Sequence, residues 1–91
     1  MSHDERDCVI RNELGLHLRA AAAFVRVAEA YQSDVTLCRD DASANGKSII
    51  ALVTLAAAKD TPVRVIADGP DALDAVEELA ELVEGGFGEG T

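Results

Sequence analysis

The fold class predicted by the sequence is α/β of the α+β type: an open-faced sandwich, with one mostly antiparallel sheet covered on one face by helices. Three observations lead there. Short runs of strand character alternate with stretches whose apolar residues recur at helical spacing, in the order strand, helix, strand, strand, helix, strand, helix. The apolar residues are mainly Ala and Val, with no Trp and with only Phe24, Tyr31 and Phe87 aromatic, which suits close packing of helices on a sheet. A chain of 91 residues holds one small domain, expected to span 1–91 with 1–6 and 86–91 as loose ends.

Cys8-Val9-Ile10-Arg11 is an apolar run between a charged start and a turn-rich end, and reads as the first strand. From Leu18 to about Tyr31, the residues Ala21, Phe24, Val25, Ala28 and Tyr31 form an inward helical stripe. Arg19, Ala22, Ala23, Arg26 and Glu29 lie around another face. Ala22 and Ala23 keep that face smooth enough for another protein to approach, and they are equally well read as plain helix formers. Residues 35–39 alternate as a half-buried strand would, and Asp40-Asp41 turns the chain into a return strand at 42–44, despite the low strand preference of Ala-Ser-Ala.

Asn45-Gly46-Lys47-Ser48 makes a second turn, leading into a short helix from Ile49 to about Ala56. Ile49, Leu52, Val53 and Ala56 share one face of it, leaving Ile50 on a different one. Ser48 suits the capping position. Pro62 opens a strand through Ala67, and Pro70 fits the first turn of the last helix, with Asp71 and Asp74 complementing its positive end. Ala72, Ala75, Val76, Leu79, Ala80 and Val83 form its inward stripe, and Gly85-Gly86 ends it.

Net charge is -9, and its distribution is uneven. Residues 1–67 hold nine acids and eight bases, whereas from Asp68 onward there are eight acids and no base. Without a basic stripe, nucleic acid is a poor partner, and so is an acidic membrane surface. No apolar run approaches membrane-spanning length, and the polar start does not resemble a signal peptide. Cys8 and Cys38 fit neither a metal spacing nor a disulfide framework; both are expected as small core residues in a reducing cytosol.

The residues with chemistry cluster at Gly15-Leu16-His17-Leu18-Arg19. Asn12-Glu13-Leu14-Gly15 has turn composition and the chain beyond Leu18 is almost free of helix breakers, so a helix is expected to begin at or just after His17. A side chain there lies beside backbone N–H groups without intrahelical acceptors, on the positive end of the helix dipole. Such a place suits a phosphoryl group carried on His17, with Arg19 as its cationic partner. It suits an ordinary capping histidine equally well, and the spacing alone does not choose.

Taken together, Asn12-x-x-Gly15-Leu16-His17-x-Arg19 and Asn45-Gly46-Lys47-Ser48-Ile49 resemble the two signature segments of the HPr family, histidine-containing phosphocarriers of the bacterial phosphotransferase system. Ala67-Asp68-Gly69 and Gly86-Phe87-Gly88-Glu89 are also similar to that family. The resemblance implies a β-α-β-β-α-β-α sandwich, a four-stranded antiparallel sheet with three helices on one face. It implies a cytosolic, monomeric carrier that is no enzyme and needs no cofactor or metal. His17 would accept a phosphoryl group at Nδ1 from phosphorylated enzyme I and pass it to a histidine of an enzyme IIA-type domain. Leu18, Ala22, Ile49, Ile50 and Val53 would form the partner surface, and Ser48 falls on the family's regulatory serine, the target of HPr kinase/phosphorylase.

Two departures stand out. The family usually has Pro where this chain has Ala20, and a small residue where Leu18 stands. Leu18 adds an apolar group at the mouth of the site, as a paralogue selecting a different partner would require. The alternative reading is therefore a regulatory docking module of the same fold, of a nitrogen-related or catabolite-regulation branch. A small His-dependent phosphatase would need a substrate pocket and a general acid, for which Glu13 is the only candidate near His17 in the sequence.

Overall fold

The computed structural model describes residues 2–89. Strand β1 is Ser2–Val9, helix α1 Leu18–Ala28, β2 Asp34–Arg39, β3 Ala42–Asn45, α2 Ile49–Thr54, β4 Pro62–Gly69 and α3 Ala72–Glu84, followed by a short turn of helix at Gly86–Gly88. The four strands form one antiparallel sheet in the order β1-β4-β2-β3. Alternation decides which side is covered. Val35 and Leu37 of β2, Ala44 of β3, Val63, Val65 and Ala67 of β4, and Cys8 of β1 turn into the core, where Phe24 of α1, Leu52 of α2 and the six-residue stripe of α3 meet them. Truncating the fully buried Phe24 to Ala would cost about 3–5 kcal/mol.

The expectation that 1–6 is loose does not hold for residues 2–6. They pair with β4, from Ser2 opposite Gly69 to Arg6 opposite Val65. Their charge had argued against a strand, yet one face of this sheet is uncovered, and charged residues complement each other there: His3 reaches Asp68 and Glu5, and Arg64 binds Asp7 at 2.7 Å. The strand also stops earlier than expected. Ile10 is buried beyond the ladder, and Glu84 on α3 clamps this end, accepting from Val9 N–H at 2.9 Å and from Arg11 Nε at 3.1 Å.

Residues 86–89 are no loose end either, while 90–91 lie outside the described residues. Gly86 (φ 70°), Phe87 (φ 60°) and Gly88 (φ 80°) take the left-handed region in succession, folding the chain back so that Phe87 is buried. Helix α1 is shorter than its pattern. It ends at Ala28, and Tyr31 packs from the following turn, its hydroxyl donating to Glu78 of α3.

In α2 the buried positions are Leu52 and, just beyond it, Leu55, with Ile49 half-buried. Val53 and Ala56, expected inward, are exposed, because the six-residue helix stops where Ala56 adopts φ 55°. Cys38 is no core residue. It sits half-exposed on the open sheet face across from Arg64, whereas Cys8 is buried and its thiol is pushed up to about 11 by desolvation. Asp71, not Pro70, stands directly before α3, and its carboxylate turns to the α1–β2 loop, accepting from the Gln32 and Ser33 backbone N–H groups at 2.9 Å each and from the Ser33 hydroxyl. These bonds hold its carboxyl below the usual aspartate value, with the Ser33 hydroxyl contributing most.

Candidate functional site

The approach to α1 is built from backbone constraints. Gly15 N–H closes a turn on Asn12 C=O at 3.1 Å, and the buried Asn12 side chain donates to Gly15 C=O at 2.7 Å. Gly15 sits at φ 66°, and a Cβ there would stand 2.5 Å from the Ala57 carbonyl oxygen, so only glycine fits. Leu16 N–H then donates to that same oxygen at 2.9 Å, docking the loop on residues 57–58.

His17 caps α1. Its extended backbone lets its carbonyl accept from Ala21 N–H at 2.8 Å, and its ring Nδ1 accepts from Arg19 N–H at 3.3 Å. The imidazole edge bearing Nδ1 therefore faces the exposed N–H groups at the helix start, as expected from the sequence. Position 20, where Ala replaces the family's Pro, is buried in the first turn without disturbing the helix.

The other ring edge meets a residue that sequence reasoning missed. Glu89 Oε2 lies 2.5 Å from His17 Nε2 and 3.7 Å from Arg19 Nε, and its second oxygen accepts from Asn12 Nδ2 at 2.9 Å. Burial works against ionisation of this carboxyl, but the bonds from Asn12 and His17 and the nearby Arg19 outweigh it and hold Glu89 below the usual glutamate value. The side chains of His17 and Glu89 are 22% and 20% exposed, against 77% for Arg19. A pinned ring thus stands beside a guanidinium with room to move. The one signal for Glu89 was the Gly-Phe-Gly run, read as a tail but in fact the fold-back that delivers the carboxylate. Glu13, offered as the acid near His17, is engaged elsewhere, by Lys59 Nζ at 2.7 Å.

Ser48 caps α2, its Oγ accepting from Ala51 N–H at 3.2 Å, and α2 packs against α1. Of the residues expected to meet partners, Leu18 and Ile50 are 64% and 75% exposed, Val53 is exposed, and Ala22 and Ile49 are half-buried. Leu14, which sequence reasoning left out, is as exposed as Leu18 and borders a groove of about 540 Å³ with Arg19, Ala23, Arg26 and Phe87. Among the described residues, no group of three or more His, Cys, Asp or Glu side chains is placed to hold a metal ion, and no helix is long and apolar enough to cross a membrane.

Comparison with known proteins fits this geometry. Residues 4–85 match the family model described as the PTS HPr component phosphorylation site. The phosphocarrier protein HPr of Neisseria meningitidis serogroup A is 44% identical over 81 residues, 89% of this chain and 91% of that protein. HPr of Xylella fastidiosa is 40% identical, covering 96% and 98%. The structure of HPr-C-His from Thermoanaerobacter tengcongensis superimposes with a TM-score of 0.91 at 34% identity, covering 97% of this chain and 99% of that one. The chain belongs to the HPr family, the phosphocarrier proteins of the phosphotransferase system.

Proposed function

We propose that the phosphoryl group is carried on His17 Nδ1, taken from phosphorylated enzyme I, itself charged by phosphoenolpyruvate, and handed to a histidine of an enzyme IIA-type domain in the cytoplasm. The observation that carries this reading is the orientation of the imidazole: Nδ1 lies at the start of α1, within reach of Arg19 N–H, while the opposite nitrogen is held by Glu89. Phosphate oxygens placed beyond Nδ1 meet unpaired N–H groups and the positive end of the helix dipole. Arg19 is free to leave Glu89, at 3.7 Å, and turn to them. The protein acts as a monomer, and donor and acceptor use one surface in turn, built from Leu18, Ala22, Ile49, Ile50 and Val53. Ser48, inside that surface, is the regulatory position, where a phosphate adds nearly two negative charges beside the docking residues.

Incubation with enzyme I and phosphoenolpyruvate, followed by intact mass measurement, tests the carrier. One acid-labile phosphate is expected, and none on His17→Ala. A second reading, regulation by docking alone, is favoured by the exposed Leu18 beside the site. It replaces the first if enzymes I from several sources leave His17 unmodified while a kinase still modifies Ser48.

A further inference from the structure

The contact between Glu89 and His17 asks for a role, because the chain makes three left-handed residues in a row to bring this carboxylate back to the ring. Both ring nitrogens have partners, and the two partners agree. A carboxylate can only accept, so Nε2 must carry the proton it shares with Glu89 at 2.5 Å. A backbone N–H can only donate, so Nδ1, 3.3 Å from Arg19 N, must present its lone pair. One tautomer satisfies both ends. The carboxylate is itself steadied, since Asn12, fully buried, donates to its other oxygen and to Gly15 C=O, two residues ahead of His17.

We propose that Glu89, held by Asn12, is a positioning residue for phosphoryl transfer, fixing the ring proton of His17 on Nε2 and stabilising the charge that the ring acquires. The proposal rests on the reading of His17 as the acceptor. In the transfer the Nδ1 lone pair forms the bond to phosphorus while the donor's bond to phosphorus breaks, its leaving atom keeping the electron pair. No proton moves on His17. With Nδ1 phosphorylated and Nε2 still protonated the ring is cationic, and that charge falls on the N–H facing Glu89. A carboxylate orienting an imidazole and balancing its positive charge is established physical chemistry in hydrolytic triads. When the phosphoryl group leaves, the same contact returns the ring to the starting tautomer, so the residue serves both directions.

The test is Glu89→Ala in the full chain, with circular dichroism as the check on folding and His17→Ala as the control for the acceptor. Two readouts are taken: side-chain 15N NMR of His17, which reports the nitrogen bearing the proton, and transfer from phosphorylated enzyme I over a range of carrier concentrations. Expected for Glu89→Ala are a ring proton divided between the two nitrogens and a saturating transfer rate lower by about tenfold, with little change in half-saturating concentration. A wild-type rate with the proton still on Nε2 overturns the proposal. So does a raised half-saturating concentration with an unchanged tautomer, which would make Glu89 a partner contact. If the unaltered protein takes up no phosphate that His17→Ala abolishes, the acceptor reading falls, and this inference with it.

Discussion

Helices α1 and α2 begin in the same way and differ in what surrounds the cap. Gly15-Leu16-His17 and Gly46-Lys47-Ser48 each place a glycine two residues before a side chain that caps through a backbone N–H. At α2 the arrangement is local: Gly46 N–H donates to Val35 C=O at 2.7 Å, Asn45 accepts from Lys47 and Ser48, and the Ser48 cap has an ordinary length. At α1 the loop is fixed by distant residues 57 and 58, the cap bond is longer, and a carboxylate from residue 89 holds the far side of the ring. The same capping position serves mainly helix stability at Ser48, while at His17 it gives up part of that stability to hold a nucleophile in one orientation.

The largest effects should come from the glycines. Gly15→Ala combines a left-handed backbone with a clash against backbone atoms, and is expected to cost about 3 kcal/mol or more in urea unfolding. Gly46→Ala should cost less, about 1–2 kcal/mol, because its Cβ would meet a Val35 methyl that can turn and its φ is not left-handed. Equal losses would mean that both loops are equally rigid. Next come the caps. Ser48→Ala should lower stability by about 1 kcal/mol, and His17→Ala by less than about 0.5 kcal/mol while abolishing phosphate uptake. The reverse ranking would break the comparison. Ser48→Asp sharpens it further, since Asp caps as well as Ser and stability should stay within about 0.5 kcal/mol of wild type, while exchange with enzyme I slows.

The smallest effect lies away from both helices. Hydrogen bonds from His3 to Asp68 and then Glu5 raise the His3 value above 6.5. This latch contributes stability that is fully present below pH 6.5 and disappears as pH rises through the raised folded value. The difference in urea midpoint between wild type and His3→Gln should therefore shrink from acid to alkaline pH, with both helix starts unaffected.

Helical stripes were the most legible feature of the sequence, and all six inward residues expected on α3 are buried. The signature segments around His17 and Ser48 were legible too, because their turn residues and helix starts are local. Two kinds of information were hidden. The strand character of 2–6 depends on cross-strand charge pairs with residues 64 and 68, which no local window contains. Glu89 was missed for the same reason: its role follows from three successive left-handed residues, and Phe87 adopts that conformation only because the core receives its ring. The inward face of α2 failed differently, since six residues are too few for periodicity to separate Val53 from Leu55.

The sheet order has a consequence for how the chain assembles as it is synthesised. Strand β4, the last described strand in the sequence, is inserted between β1 and β2. Until residues 62–69 are available, β1 has no hydrogen-bonding neighbour, and the β2–β3 hairpin is the only strand pair that can form. Early structure therefore centres on that hairpin and α1, and β1 waits for a partner more than fifty residues away in the chain, a long-range pairing of the kind that slows folding. Arrival of β4 closes the sheet from both sides at once, so its apolar alternation at Val63, Val65 and Ala67 makes it the element whose mutation should most slow folding.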